Sequence, residues 1–148
     1  MFKIVMFIFI LAGLLAKLEL QIEGKRAGWA AMLPCWKKQN KFINTMLGNK
    51  PLTGYHMWLM ITYLFMFHSP YLFIPFTLKT ELILMGFFFW FWILEDFFWF
   101  LENDAFKLKN FKKGQIGWHK RWIFGLPISY IWGMSMGTGL LVLGKYSK

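Results

Sequence analysis

Apolar residues run along this chain in four long stretches, and most of the charged residues collect in two segments between them. The first stretch passes Lys3 and runs from Ile4 to Ala16 before Lys17. A lysine there can reach water along its own stem, so the helix extends to Leu20 or Ile22. A lysine ahead of an apolar run also describes a secretory signal, but no small-x-small pattern precedes Lys17, and a retained span over 3–22 is expected. The second stretch, 55–76, is apolar from Tyr55 to Phe67 and again from Tyr71 to Phe76. His68, Ser69 and Pro70 break it, so its helix either kinks at Pro70 or stops there. The third, Leu82 to Leu101, is twenty residues long, about 30 Å of helix. Its aromatic block, Phe87 to Trp92, is apolar all round, as befits a helix among lipids or other apolar helices. In the fourth, 122–144, Gly125, Ser129, Gly133 and Gly137 recur at every fourth position, which makes a groove where another helix backbone approaches closely.

This pattern predicts an all-α integral membrane bundle. One domain, 1–148, carries four transmembrane helices (3–22, 55–76, 82–101 and 122–144), with loops at 23–54 and 102–121. Within the first loop Pro34 can open a helix and Gly48 can end one. Trp36, Ile43 and Leu47 fall near one side of it and Lys37, Lys38 and Lys41 toward the other, which describes a short basic helix lying in the lipid interface. A solvated basic loop is the alternative. Trp118, Lys120, Arg121 and Trp122 make a second interfacial set ahead of the fourth span.

Composition strengthens the membrane reading. Apolar residues make up 57% of the chain, including 18 Phe, 9 Trp and 10 Met, more than a soluble domain of 148 residues can hide. Lys plus Arg number 17 against 7 Asp plus Glu. Such basicity with many aromatics also suits single-stranded nucleic acid, but there the aromatics interleave with the basic residues. Here they sit in uncharged runs, so no nucleic-acid partner is expected. The loop from Lys17 to Lys50 holds seven basic residues and that from Lys107 to Arg121 holds six, thirteen of the 17. Both loops are therefore expected in the cytoplasm, facing anionic lipid headgroups, with both termini on the other side. Cys35 is the only cysteine, which excludes an intramolecular disulfide and CxxC chemistry.

Candidate chemistry lies where ionisable groups enter the apolar stretches. Glu95 and Asp96 stand roughly 8–9 Å inside the cytoplasmic end of the third span. Glu95 shares its face with Glu102, and Asp96 points elsewhere. The topology brings His56, His119 and Asp104 to the same level. Three uses are open. Glu95, Glu102, His56 and His119 can ligate a divalent transition metal such as zinc, iron or manganese, with metal-assisted or acid/base chemistry on a lipid headgroup following from Glu95, Asp96, Glu102, His56 and His119. A buried Glu or Asp can handle protons or ions. Or the acids pair with basic loop residues and lock the helices. Glu95 is expected to face inward, with a polar partner among His56, His119, Glu102, Lys120 and Arg121. A bis-histidine haem on His56 and His119 is disfavoured, because the neighbours of His119 make it an interfacial anchor. His68 and Glu81 are expected to meet at the opposite end.

Two functions follow. The first is an accessory or structural subunit packing through its aromatic and small-residue faces, as a homo-oligomer or with other membrane subunits. The second is a metal-dependent or acid/base enzyme acting on lipid headgroups. The absence of a named motif favours the first, and two acids inside a span favour the second.

Overall fold

The computed structural model describes residues 2–24, 28–47, 49–106 and 108–147. Lys25, Arg26, Lys107 and Lys148, counted in the charge asymmetry, and Gly48, the expected helix end, lie outside the described residues. The protein is mostly helical. Its elements are α1 (Phe2–Glu23), β1 (Lys37–Lys38), α2 (Lys41–Met46), β2 (Leu52–Thr53), α3 (Gly54–Phe67), α4 (Leu78–Glu102), β3 (Trp122–Ile123), β4 (Leu126–Pro127) and α5 (Ile128–Tyr146), with single 3-10 turns at Ser69–Leu72 and Leu108–Asn110. Of the described helices, α1 and α4 have the length and apolar composition to cross a membrane. Among the described residues no other helix meets that measure.

Local chemistry decides between the two alternatives for the second stretch and moves the start of the fourth. Helix α3 runs 14 residues, about 21 Å, and ends at Phe67. Pro70 lacks an N–H to continue the ladder, so the chain tightens into a 3-10 turn and leaves the helix rather than kinking. Its start is fixed by Thr53, whose hydroxyl accepts the His56 N–H at 3.2 Å. Helix α5 begins at Ile128, not at 122. Before it, β3 and β4 pair antiparallel, Trp122 with Pro127 and Ile123 with Leu126. The two tip residues, Phe124 (φ 51) and Gly125 (φ 80), both adopt the left-handed conformation that two-residue hairpins need. Gly125 is thus a turn glycine with open space around it and not part of the helix-packing stripe.

The first loop is also corrected. The expected 34–48 helix is reduced to α2, which Asn40 opens by accepting the N–H groups of Phe42 and Ile43, both at 3.0 Å. Lys37 and Lys38 lie instead in β1, opposite Thr53 and Leu52. Trp36 packs on Gly54, where any side chain would collide with the indole.

Helix α4 is the axis, with α1 and α5 making the most extensive contacts on it and α3 fewer. Ile8, Ala12, Leu15 and Ala16 form the buried stripe of α1. The first three meet Phe87, Phe88 and Phe91 of α4 and Phe67 of α3 in one core cluster. A second cluster joins Ala16 and Leu20 to Trp99, Phe100 and Ile116, so the 103–121 segment folds under the end of the bundle. Helices α4 and α5 approach through glycine. A Cβ on Gly137 would stand 3.0 Å from the Gly86 carbonyl oxygen, and one on Gly133 would stand 2.7 Å from Ile93 Cδ1. The far end is closed by His68 Nε2, 3.1 Å from Glu81, and by the Tyr71 hydroxyl, which donates to the same carboxylate at 3.0 Å.

Candidate functional site

The buried stripe of α1 does not stop with its apolar residues. Three and seven positions beyond Ala16, on the same face, come Glu19 and Glu23, both buried. On α4 the inward face carries Phe88, Trp92, Glu95 and Trp99, spaced by three or four residues. The two faces meet around a cavity of about 480 Å³ at the end of the bundle that bears both long loops. Its polar end is walled by Glu19, Glu23, Lys50, His56, Glu95 and Asp96, with His119 and Tyr130 beside them. Its other end is apolar and runs between α4 and α5, along Phe89, Ile93, Trp132, Gly133 and Met136.

Two sets of polar side chains line the cavity. In one, Asp96 Oδ2 accepts two bonds, from the Tyr130 hydroxyl at 2.5 Å and from His119 Nε2 at 3.1 Å. Burial pushes the His119 imidazole below its usual range, against the pull of Asp96. A neutral ring that gives its Nε2–H to Asp96 keeps Nδ1 as an acceptor. In the other, the Glu19 and Glu95 carboxyls lie beside each other, with the buried Tyr55 hydroxyl next to Glu19. Ionised carboxylates only accept, so the contact between the two carboxyls is a hydrogen bond only when a proton sits between them. Glu19 Oε1 and Glu95 Oε1 have no hydrogen-bond partner among the described residues.

The loop residues are held in place by backbone geometry. Trp29 (φ 61) and Ala30 (φ 50) are successive left-handed residues, a costly arrangement for side chains with a Cβ. Glu23 stabilises it by accepting the Ala30 N–H at 2.5 Å, and the Trp29 indole donates to the Pro51 carbonyl at 2.8 Å. So fixed, Trp29 stacks on the His56 ring at 3.9 Å and takes the Lys50 ammonium against its own ring at 3.9 Å. His56 Nδ1 lies 2.7 Å from the Thr53 hydroxyl, and its Nε2 lies 3.7 Å from Glu23. Burial pushes the Lys50 ammonium below its usual range, with Asp96 and Glu95 the strongest opposing influences.

Of the residues singled out in the sequence, Glu95, Asp96, His56, His119 and Trp118 line this cavity, as do Ser129 and Gly133. Glu102 does not, and Asp104 is exposed. Lys37, Lys38, Lys41, Lys120 and Arg121 are exposed, and Trp122 donates its indole N–H to the His119 carbonyl at 2.6 Å. The partner expected for Glu95 is corrected: Glu19 faces it, and His119 serves Asp96 instead. Glu95, Glu102, His56 and His119 do not converge on a metal, and among the described residues no three His, Cys, Asp or Glu side chains form a group able to hold one. Sequence reading missed Glu19, Glu23, Lys50, Trp29 and Tyr130. The signal for the first two was present, since they continue the Ala12, Leu15, Ala16 spacing.

No protein-family model, no curated protein and no solved structure matches this chain.

Proposed function

We propose that this chain is an integral membrane protein that takes an amphiphilic molecule into its cavity and exchanges protons with that molecule's polar end. The observation that carries the reading is the cavity itself, with ionisable side chains gathered at one end and an apolar channel between two helices at the other. An amphiphile matches both ends, whereas a wholly polar solute leaves the Phe89, Ile93 and Met136 walls unmatched. In this reading Asp96 fixes the His119 tautomer and His119 Nδ1 is the group that takes or returns a proton, with the Glu19–Glu95 pair as the opposing acid. The site needs no metal for this chemistry. Membrane insertion is supported by α1 and α4, whose apolar stretches are only one-third buried. The core helix of a soluble protein is mostly covered.

A packing role in a larger complex, or in a homo-oligomer, is the second reading. The exposed side of α1, with Phe7, Ile10 and Leu14, favours it, although lipid covers such a surface equally well. Gly133 and Gly137 no longer speak for it, since α4 fills both.

The cavity reading is tested by Ser129→Trp, which fills the cavity from α5. Lipid extracts of the purified wild type, analysed by mass spectrometry, are expected to contain a stoichiometric amphiphile that the variant lacks. The same complement in both proteins sinks the proposal.

For topology we propose four crossings, with α3 and its 3-10 turn completing the second and α5 the fourth, both long loops in the cytoplasm and both termini outside. An impermeant maleimide is expected to label Cys35 from the cytoplasmic side. In a Cys35→Ser background, Phe2→Cys and Ser147→Cys are expected to react only from the opposite side. Cytoplasmic labelling of either terminus removes at least one crossing.

A further inference from the structure

We infer that the molecule received by the cavity is a single-chain amphiphile with a primary ammonium head, an inference that rests on the amphiphile reading above. Glu19 and Glu95 line the cavity, are 5% and 4% exposed, and each has a buried Oε1 that no described residue satisfies. Unmet buried acceptors are costly, and what they lack is a donor. A primary ammonium brings three N–H donors on one compact atom. Placed between the two carboxyls, it replaces the proton that otherwise has to bridge them. A quaternary ammonium carries the charge without the donors and leaves both oxygens as they are.

Charge selects in the same direction. Four carboxyl groups, those of Glu19, Glu23, Glu95 and Asp96, face the cavity, against the single ammonium of Lys50. An anionic head would meet like charge in a poorly solvated site. On the same face of α4, Trp92 and Trp99 flank Glu95, and their indole N–H groups are also buried without a partner. They call for an uncharged oxygen close to the ammonium, as in an amino alcohol. The volume, about 480 Å³, lies in the range of small-ligand sites, roughly 300–1,000 Å³, and limits the apolar part to one chain.

The test uses the full chain in a neutral maltoside detergent, with dodecylamine, dodecanol and dodecanoate titrated by calorimetry at pH 7. The amine carries its proton there, as the lysine side chain does. Dodecylamine is expected to bind at least about tenfold more tightly than dodecanol, the worth of one hydrogen bond to a charged partner, and dodecanoate more weakly than either. Glu95→Gln and Glu19→Gln are each expected to remove most of the amine's advantage over dodecanol. An amine that binds no better than the alcohol, or a carboxylate that binds best, overturns the ammonium assignment even if neither variant folds. That failure is distinct from failure of the cavity reading, in which Ser129→Trp would bind all three probes as the wild type does.

Discussion

Gly137→Leu is expected to lower stability by about 3 kcal/mol, the upper part of the range for overpacking a close contact. The side chain has nowhere to go. Its Cβ alone would stand 2.8 Å from Trp90 Cδ1 and 3.0 Å from the Gly86 carbonyl oxygen, and that second neighbour is backbone. A side chain can rotate aside, but a helix carbonyl moves only with its helix, so α4 and α5 must separate. Gly86→Leu should act alike, since its Cβ would stand 3.0 Å from the Gly137 carbonyl oxygen. Gly139→Leu is the control. It lies two residues along the same helix with nothing within 4 Å, and should stay within about 0.5 kcal/mol of wild type. Denaturation of the three variants in detergent, followed by near-ultraviolet circular dichroism, measures the difference. Equal midpoints for Gly137→Leu and Gly139→Leu would falsify the glycine-mediated crossing.

Asp96→Ala is expected to cost about 2–3 kcal/mol. One carboxylate oxygen serves both the Tyr130 hydroxyl and His119 Nε2, and removing it leaves two buried donors with no acceptor. Asp96→Asn retains an oxygen and should cost less. Tyr130→Phe removes one donor and its demand together, and should cost about 1 kcal/mol. The Asp96→Ala, Tyr130→Phe double variant should be less destabilised than the sum of the two, because the orphaned hydroxyl has gone. Strict additivity would mean that the bond in the structure contributes nothing.

The part of the site carried by α4 was legible because charge stands out inside an apolar run. Glu95 and Asp96 are visible for that reason alone, and positive-inside topology then draws His56 and His119 to their level. Glu19 and Glu23 were hidden by the opposite circumstance. An acid in the last turn of a span is unremarkable, because headgroup water is assumed to reach it. Only the continuation of the Ala12 and Ala16 face, which becomes decisive once α4 is seen to pack there, turns them inward. Lys50 counted as one more loop charge, since nothing in its neighbours announces that Trp29 folds back over it. The hairpin was obscured by its own apolar sequence, Trp122 to Pro127, which reads as the start of a helix. Pro127 held the correction, because the residue before a proline is steered away from helical conformation. Gly125 then belongs to a turn, whatever its spacing from Ser129.

The distribution of the acids along the chain bears on how the protein is made. Glu19 and Glu23 emerge from the ribosome with α1, while the helix that covers them, α4, follows only after α2 and α3. In the proposed topology α1 therefore enters the bilayer with Glu19 unmatched at its cytoplasmic edge, where headgroup water can still solvate it, while Glu23 finds the Ala30 N–H as soon as the next loop follows. Glu19 leaves that water only when α4 docks and brings Glu95 and Asp96. Tyr130 comes later still, with α5. A nascent chain halted after α3 would hold the loop end of α1 open to water, and the passage of Glu19 from water to protein marks the moment of assembly.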